Sequence, residues 1–217
     1  MGLCKKVMVG IFSRESDETY QWLIDQLLSP QFRSVVQDVR TVLVSNTVCG
    51  HSAQLAQEIN KCNFAILYHT KKRGRLNVTD VTDSLYDQEL RHLSEKLGRE
   101  WVIVLVDDVE TDDSEVYNQM LHDQPLINQL SGLLIVMNKD EKSQYDRSEG
   151  SGTYQQGMGI HSKEKIEKIL AKIKKGNNVL IWSFQFFSGR IGNIHFDFMF
   201  NFRSTFYIFS AHNCHGN

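Results

Sequence analysis

Between residues 5 and 176, short runs of branched aliphatic residues alternate with stretches whose apolar positions recur every three or four residues. A short continuous apolar run suits a strand buried on both faces, and the wider spacing suits a helix packed along one side. Val7 to Phe12 therefore predicts a first strand. Thr19 to Leu28 predicts a helix with Trp22, Leu23, Leu27 and Leu28 on one face and Asp17 as its N-cap. Val39 to Val44 reads as a second strand, and Ser52 to Ile59 as a second helix with Leu55 and Ile59 one turn apart. Phe64 to Tyr68 gives a third strand, followed by a helix over Leu85 to Leu97. Trp101 to Val106 is the most continuous apolar run and reads as a central strand. Val116 to Leu130 is helical in pattern but interrupted at Pro125. Leu133 to Met137 is a fifth strand, and Lys163 to Lys174 a closing helix.

Five such strands alternating with helices are the signature of a parallel sheet covered on both faces. Right-handed crossovers restrict the topology to a doubly wound α/β sheet, most simply the five-stranded flavodoxin-like order 2-1-3-4-5. The expected divisions are a core over 1–141, a Gly/Ser/Gln-rich flexible loop over 142–160, a closing basic amphipathic helix over 161–176 and a tail over 177–217. In the closing helix Ile166, Ile169, Leu170 and Ile173 share a face, opposite six lysines and two glutamates. Such a helix either packs on the sheet or lies on a membrane, and the packed reading leads. The tail holds nine of the twelve Phe, with Phe196, Phe198, Phe200 and Phe202 at strict alternation. That period predicts a β-hairpin, with turns at Ser188-Gly189-Arg190 and Ile191-Gly192-Asn193, or else a poorly ordered, aggregation-prone segment.

Composition narrows the function classes. Twenty-four basic and 26 acidic residues leave a net charge of −2, so no global field points to nucleic acid or an anionic membrane. The four cysteines (Cys4, Cys49, Cys62 and Cys214) are far apart and fit reduced thiols in a cytoplasmic protein. The start reads as a strand rather than a secretory leader. Acylation of Gly2 with Cys4 beside Lys5-Lys6 would be the route to a membrane, although Lys6 stands where the motif wants Ser or Thr.

In a doubly wound sheet ligands bind beyond the carboxyl ends of the strands, at the switch point between strands 1 and 3. Strand 1 runs into Ser13-Arg14-Glu15-Ser16-Asp17, and strand 3 into His69-Thr70-Lys71-Lys72-Arg73-Gly74-Arg75. Ser13, Arg14, Thr70, Lys72, Arg73, Gly74 and Arg75 are the candidate ligand-binding residues. Arg14, Lys72, Arg73 and Arg75 would form a cationic mouth, and Gly74 would let backbone amides approach an anion. The third loop is also long, and long polar loops on a rigid sheet are where binding concentrates. A solvated basic loop or a short targeting patch would carry the same composition.

Other patterns add less. Strand 4 ends in Asp107-Asp108, a pair that in strict alternation would point to opposite faces, so no metal site is expected there. GxxxxGK[ST], GxGxxG, GxSxG and HExxH are all absent from the sequence. Cys49-Gly50-His51 lacks the second ligand pair of a structural zinc site, and His161, His212, Cys214 and His215 form no stronger pattern.

The run Ile11-Phe12-Ser13-Arg14-Glu15-Ser16-Asp17-Glu18 with Trp22, together with Ser84-Leu85-Tyr86-Asp87-Gln88-Glu89-Leu90, resembles the opening and the third-helix segment of TIR-type signalling domains. The second segment is one residue shorter than the family's, with Tyr86 and Asp87 in place of Trp and Cys. The resemblance spans residues 5–140 and implies a flavodoxin-like sheet that assembles with protein partners or with itself. In NAD-cleaving members a glutamate of that helix is catalytic, which would be Glu89 here, with NAD or another nucleotide as ligand. The leading expectation is a cytoplasmic, non-catalytic signalling or interaction domain. It would bind an anionic ligand, nucleotide, phosphate or partner at the C-terminal edge of the sheet. The alternative is an NAD-cleaving hydrolase using Glu89.

Overall fold

A computed structural model describes residues 6–44, 51–110, 113–146, 160–182, 184–191, 194–201 and 205–213. Five parallel strands, β1 (Val7–Ser13), β2 (Val36–Leu43), β3 (Phe64–Thr70), β4 (Val102–Val109) and β5 (Leu133–Asn138), form one sheet in the order β2-β1-β3-β4-β5. The fold is flavodoxin-like, as the alternation of apolar runs predicts. Ile11 sits opposite Ile66 and Tyr68 opposite Leu105, so the sheet interior is a continuous aliphatic and aromatic layer. Every residue of β3 and β4 is buried, which explains why both read as unbroken apolar runs up to their polar ends. Strand β2 lies at one edge, and its Gln37, Asp38 and Thr41 are solvated. Charges on an edge strand discourage pairing with another chain.

The helices are α1 (Gln21–Leu28), α2 (His51–Asn60), α3 (Asp87–Leu97), α4 (Asp113–Asp123), α5 (Pro125–Leu130), α6 (Lys139–Asp146) and α7 (Ile160–Trp182), the last two following β5. Trp22, Leu23 and Leu27 of α1 are buried, as are Leu90, Leu93 and Leu97 of α3. Pro125 separates α4 from α5 because it occupies the first turn of the second helix, where no amide donor is needed. At Gly10 the chain passes so close to α2's exit that a Cβ would stand 2.7 Å from Cys62 Sγ and 2.6 Å from the Phe12 ring. Cys62 is buried there, and burial pushes its thiol up to about 11, a packing residue rather than a nucleophile.

The structure differs from the sequence reading in four places. Asp17 does not cap α1. It starts a single 3-10 turn, Asp17–Tyr20, that leads into the helix. Helix α3, expected from Leu85, starts at Asp87 after Tyr86, and Ser84 donates to the Asp87 carboxylate. Residues 142–146, expected in a loop, are helical. Asn138 Oδ1 accepts from the Glu141 amide and Glu141 Oε2 accepts from the Asn138 amide, a reciprocal capping box that starts α6. Ser188-Gly189-Arg190, expected as a turn, lies within a strand.

The chain divides into two compact units, one over Lys6–Lys174 and the other containing everything from Lys175 onward. In the latter, β6 (Phe184–Ile191), β7 (Ile194–Asn201) and β8 (Thr205–Asn213) form an antiparallel sheet in sequence order. Phe196, Phe198 and Phe200 occupy alternate positions of β7, with Gly189 paired to Phe196 and Phe206 to Phe200. Gly2, Cys4, Cys49, Gly50, Phe202, Cys214 and His215 lie outside the described residues. Among the described residues no helix is long and apolar enough to cross a membrane. On α7, Ile166, Ile169 and Ile173 are buried and Lys163, Lys168 and Lys174 exposed, the arrangement of a helix packed on its own domain.

Candidate functional site

The loops after β1 and β3 meet at the C-terminal edge of the sheet, and the candidate residues are held there by a dense set of bonds. Ser13 ends β1 fully buried, and its Oγ accepts from the Glu15 amide, which turns the chain. The Arg14 amide donates to Tyr86 Oη, and its guanidinium lies over the Tyr86 ring at 5.3 Å. Arg14 Nη2 donates to the Leu85 carbonyl at 2.5 Å and to Glu89 Oε1 at 3.4 Å. Glu89 thus turns inward toward the β1 loop rather than to solvent. Arg14 Nε is buried without a partner among the described residues.

Thr70 closes β3 and starts a 3-10 turn, Lys71–Arg73, by accepting from the Lys72 amide. Gly74 follows at φ +102°, a conformation an L-side chain rarely adopts, and nothing would touch a Cβ there. Lys71 Nζ donates to the Gly74 carbonyl at 2.6 Å. Arg73 pairs with Glu15 across the two loops, and Arg75 pairs with Asp83 at 3.8 Å. Arg14, Arg73 and Arg75 of the expected mouth thus each face a carboxylate, and Lys72 Nζ lies 3.5 Å from Asp108 Oδ2.

The long third loop is pinned from both sides. His69 Nε2 donates to the Arg75 carbonyl at 2.8 Å. A carbonyl can only accept, so Nε2 carries a proton, while Nδ1 is buried without a partner among the described residues and suits the bare nitrogen of a neutral ring. Burial holds the His69 pKa below its ordinary value, consistent with that tautomer. Further along, buried Gln124 accepts from the Val78 and Thr79 amides at 3.0 and 2.9 Å and donates to the Leu76 carbonyl at 2.5 Å. Asp80 accepts from the Leu126 amide at 2.8 Å. The loop is thereby tied to the α4–α5 junction.

Beneath this edge lies a cluster absent from the sequence reading. Asp107 and Asp108, expected on opposite faces, both accept from one ammonium: Lys142 Nζ is 2.8 Å from Asp107 Oδ2 and 2.7 Å from Asp108 Oδ2. The alternation fails because β4 carries a register shift between Val106 and Val109, with Asp108 at φ +58°. Asp107 Oδ2 also accepts from Tyr68 Oη at 2.5 Å and Trp22 Nε1 at 3.2 Å, while Oδ1 has no partner among the described residues. Thr70 Oγ1 donates to Asp108 Oδ2 at 2.9 Å. Burial pushes the Asp107 carboxyl up to about 6, against the pull of Lys142. Burial acts on Asp108 in the same sense, yet the bonds from Lys142 and Thr70 hold it below the ordinary carboxylate range. Burial also opposes the Lys142 charge, but the two carboxylates raise its pKa. Among the described residues no three His, Cys, Asp or Glu side chains converge as a metal site.

No protein-family model matches the chain. No curated protein matches it. Among solved structures it is similar to the pilus assembly protein CpaE from Caulobacter crescentus CB15, with a TM-score of 0.32 and 10% identity over 77% of this chain and 91% of that one. A likeness of that degree assigns no function.

Proposed function

We propose that the protein is a cytoplasmic, non-catalytic signalling or interaction domain that binds an anionic ligand or partner surface at the C-terminal edge of its sheet. The observation that carries this is the gathering of Arg14, Lys72, Arg73 and Arg75 on two facing loops, with Arg14 Nε a buried donor lacking an acceptor among the described residues. Among the carboxylates now facing those cations, the exposed Asp83 is the most readily displaced. Exposed pairs such as Arg75–Asp83 contribute about 0–1 kcal/mol, so a multivalent phosphate can replace them. The non-catalytic reading is supported by the acids of the edge. Asp107 and Asp108 are buried on Lys142, and Glu89 is engaged by Arg14. The likeness of residues 11–18 and 84–90 to TIR-type domains agrees with assembly through surface loops.

Thermal melting with adenosine diphosphate as probe tests this reading. The melting temperature of the wild type rises by a few degrees at saturating ligand, more at low salt, by mass action on the folded state. Lys72 and Arg75 are well exposed, so K72Q/R75Q stays folded and loses most of the shift. An unchanged shift in that variant contradicts the site.

One observation favours the hydrolase as a second reading. Glu89 faces Arg14 at the same edge, where a bound nucleotide would lie. Incubation with NAD separates the two readings. Nicotinamide release abolished by Glu89→Gln establishes the hydrolase, and no release leaves the binding domain.

A further inference from the structure

Lys72 differs from the other three cations of the edge. Arg14, Arg73 and Arg75 pair with Glu89, Glu15 and Asp83, acids of the surrounding loops and the start of α3. Lys72 instead reaches down to the buried cluster. Its side chain is 63% exposed, yet its Nζ lies 3.5 Å from Asp108 Oδ2 on a side chain only 4% exposed. The cluster itself holds an odd charge, because two aspartates share the single buried ammonium of Lys142. With both carboxylates ionised, one negative charge is left over in a poorly solvated place, and such a charge attracts the nearest free cation strongly. Lys72 is positioned to be that cation.

We infer that the Asp107–Lys142–Asp108 cluster regulates the anion-binding edge: when the cluster takes up a proton Lys72 is released to an anionic ligand, and when it loses the proton Lys72 is drawn back. This rests on the anion-binding reading above. Asp107 is the proton acceptor. It is fully buried, and all three of its donors converge on Oδ2 while Oδ1 has no partner among the described residues. Its raised pKa, near 6, follows from that burial. The titratable groups around it are Tyr68 from β3, Asp108 from β4, Lys142 from α6 and, beyond Asp108, Lys72 from the loop. From α1 comes only the neutral Trp22 indole, with the Tyr145 ring of α6 tilted against it at 5.6 Å; the Tyr20 ring lies tilted against Tyr68 at 4.9 Å. Asp108 stays ionised while Asp107 takes up the proton, because Lys142 and Thr70 hold it low. The cluster is then a neutral Lys142–Asp108 pair, and the carboxylate facing Lys72 is already balanced by Lys142, so its hold on Lys72 is weaker. By linkage, a bound anion raises the proton affinity of Asp107 in return.

Sulfate is the probe, since it is a dianion throughout the relevant range. Its affinity is read from the amide resonances of residues 71–75 at constant ionic strength, near pH 5 and near pH 7.5, on either side of the Asp107 midpoint. Wild-type protein is expected to bind about 5-fold more tightly at the lower pH, the small end of ordinary coupling. Asp107→Asn, a neutral stand-in for the acid form, should show the tighter affinity at both pH values. Lys72→Gln, a change at an exposed position, should bind weakly with no pH dependence. Equal wild-type affinity at both pH values overturns the regulation and leaves the anion-binding reading standing. No binding at either pH overturns both. Should the Asn variant not fold, Lys72→Gln still decides, because pH dependence surviving in it refutes the inference.

Discussion

Asp107 is the residue whose chemistry departs furthest from its ordinary behaviour, and its effect on stability has a definite sign. Its folded pKa, about 6, lies above the ordinary 3.8, so the folded state holds a proton that the unfolded chain has released in between. Its contribution is fully present at the acid end and is lost as pH rises through 6, on the order of 3 kcal/mol. His69 acts oppositely: burial depresses its pKa, so its contribution is present above 6.5 and lost as pH falls. The two overlap, and substitution separates them. Denaturant unfolding should show Asp107→Asn gaining stability relative to wild type as pH is raised from about 4 to about 6. A constant difference between the two proteins across that range would contradict the raised pKa. None of this was legible in the sequence. Alternation placed Asp107 and Asp108 on opposite faces, and only the bulge at Asp108, at φ +58°, brings both to Lys142. Asn and Asp tolerate that conformation better than most residues, which is the faint local signal a sequence could offer.

Helix α6 shows how an element can escape a search for apolar periodicity. Most of its sequence, from Lys142 on, reads as loop, and its buried side chains are Glu141, Lys142 and Tyr145. It is held by charge: Lys142 binds the ends of β4, while Glu141 caps the helix and receives Lys165 of α7 at 2.6 Å. Removing one member of a buried ionic cluster costs more than the cluster contributes, since the survivors are left charged and unpaired. Lys142→Met is therefore expected to lower unfolding stability by about 3–5 kcal/mol, whereas a solvated loop lysine would change it by less than about 0.5 kcal/mol. Equilibrium denaturation distinguishes the two. The strands were legible for the opposite reason. β3 and β4 are buried on both faces, so their apolar runs are continuous, and the strands exceed the bounds the pattern predicts by His69-Thr70 and by Asp107-Asp108-Val109.

The arrangement of the whole sheet places the candidate site. Once the strand order is β2-β1-β3-β4-β5, the loops after β1 and β3 must face each other, and Arg14, Lys72, Arg73 and Arg75 follow. The sequence could foretell that gathering but not the acids set against it. Glu89, Glu15 and Asp83 come from separate loops and a helix start, and Asp108 from within the sheet. Nor could it foretell the clamp that Gln124 puts on the long loop from 46 residues away. A second unit follows from Lys175 onward. Residues 1–176 contain all five parallel strands, so truncation after Gly176 should leave a single cooperative thermal transition; loss of that transition would show that the sheet depends on the later residues. The claim on which the functional reading depends is that the edge binds anions through these side chains. It is met most directly by calorimetric titration with adenosine diphosphate at several salt concentrations. Wild-type affinity should fall steeply as salt rises, and K72Q/R75Q should bind at least about 10-fold more weakly at low salt with a shallower salt dependence. Binding that is indifferent to salt and equal in the variant would contradict the reading.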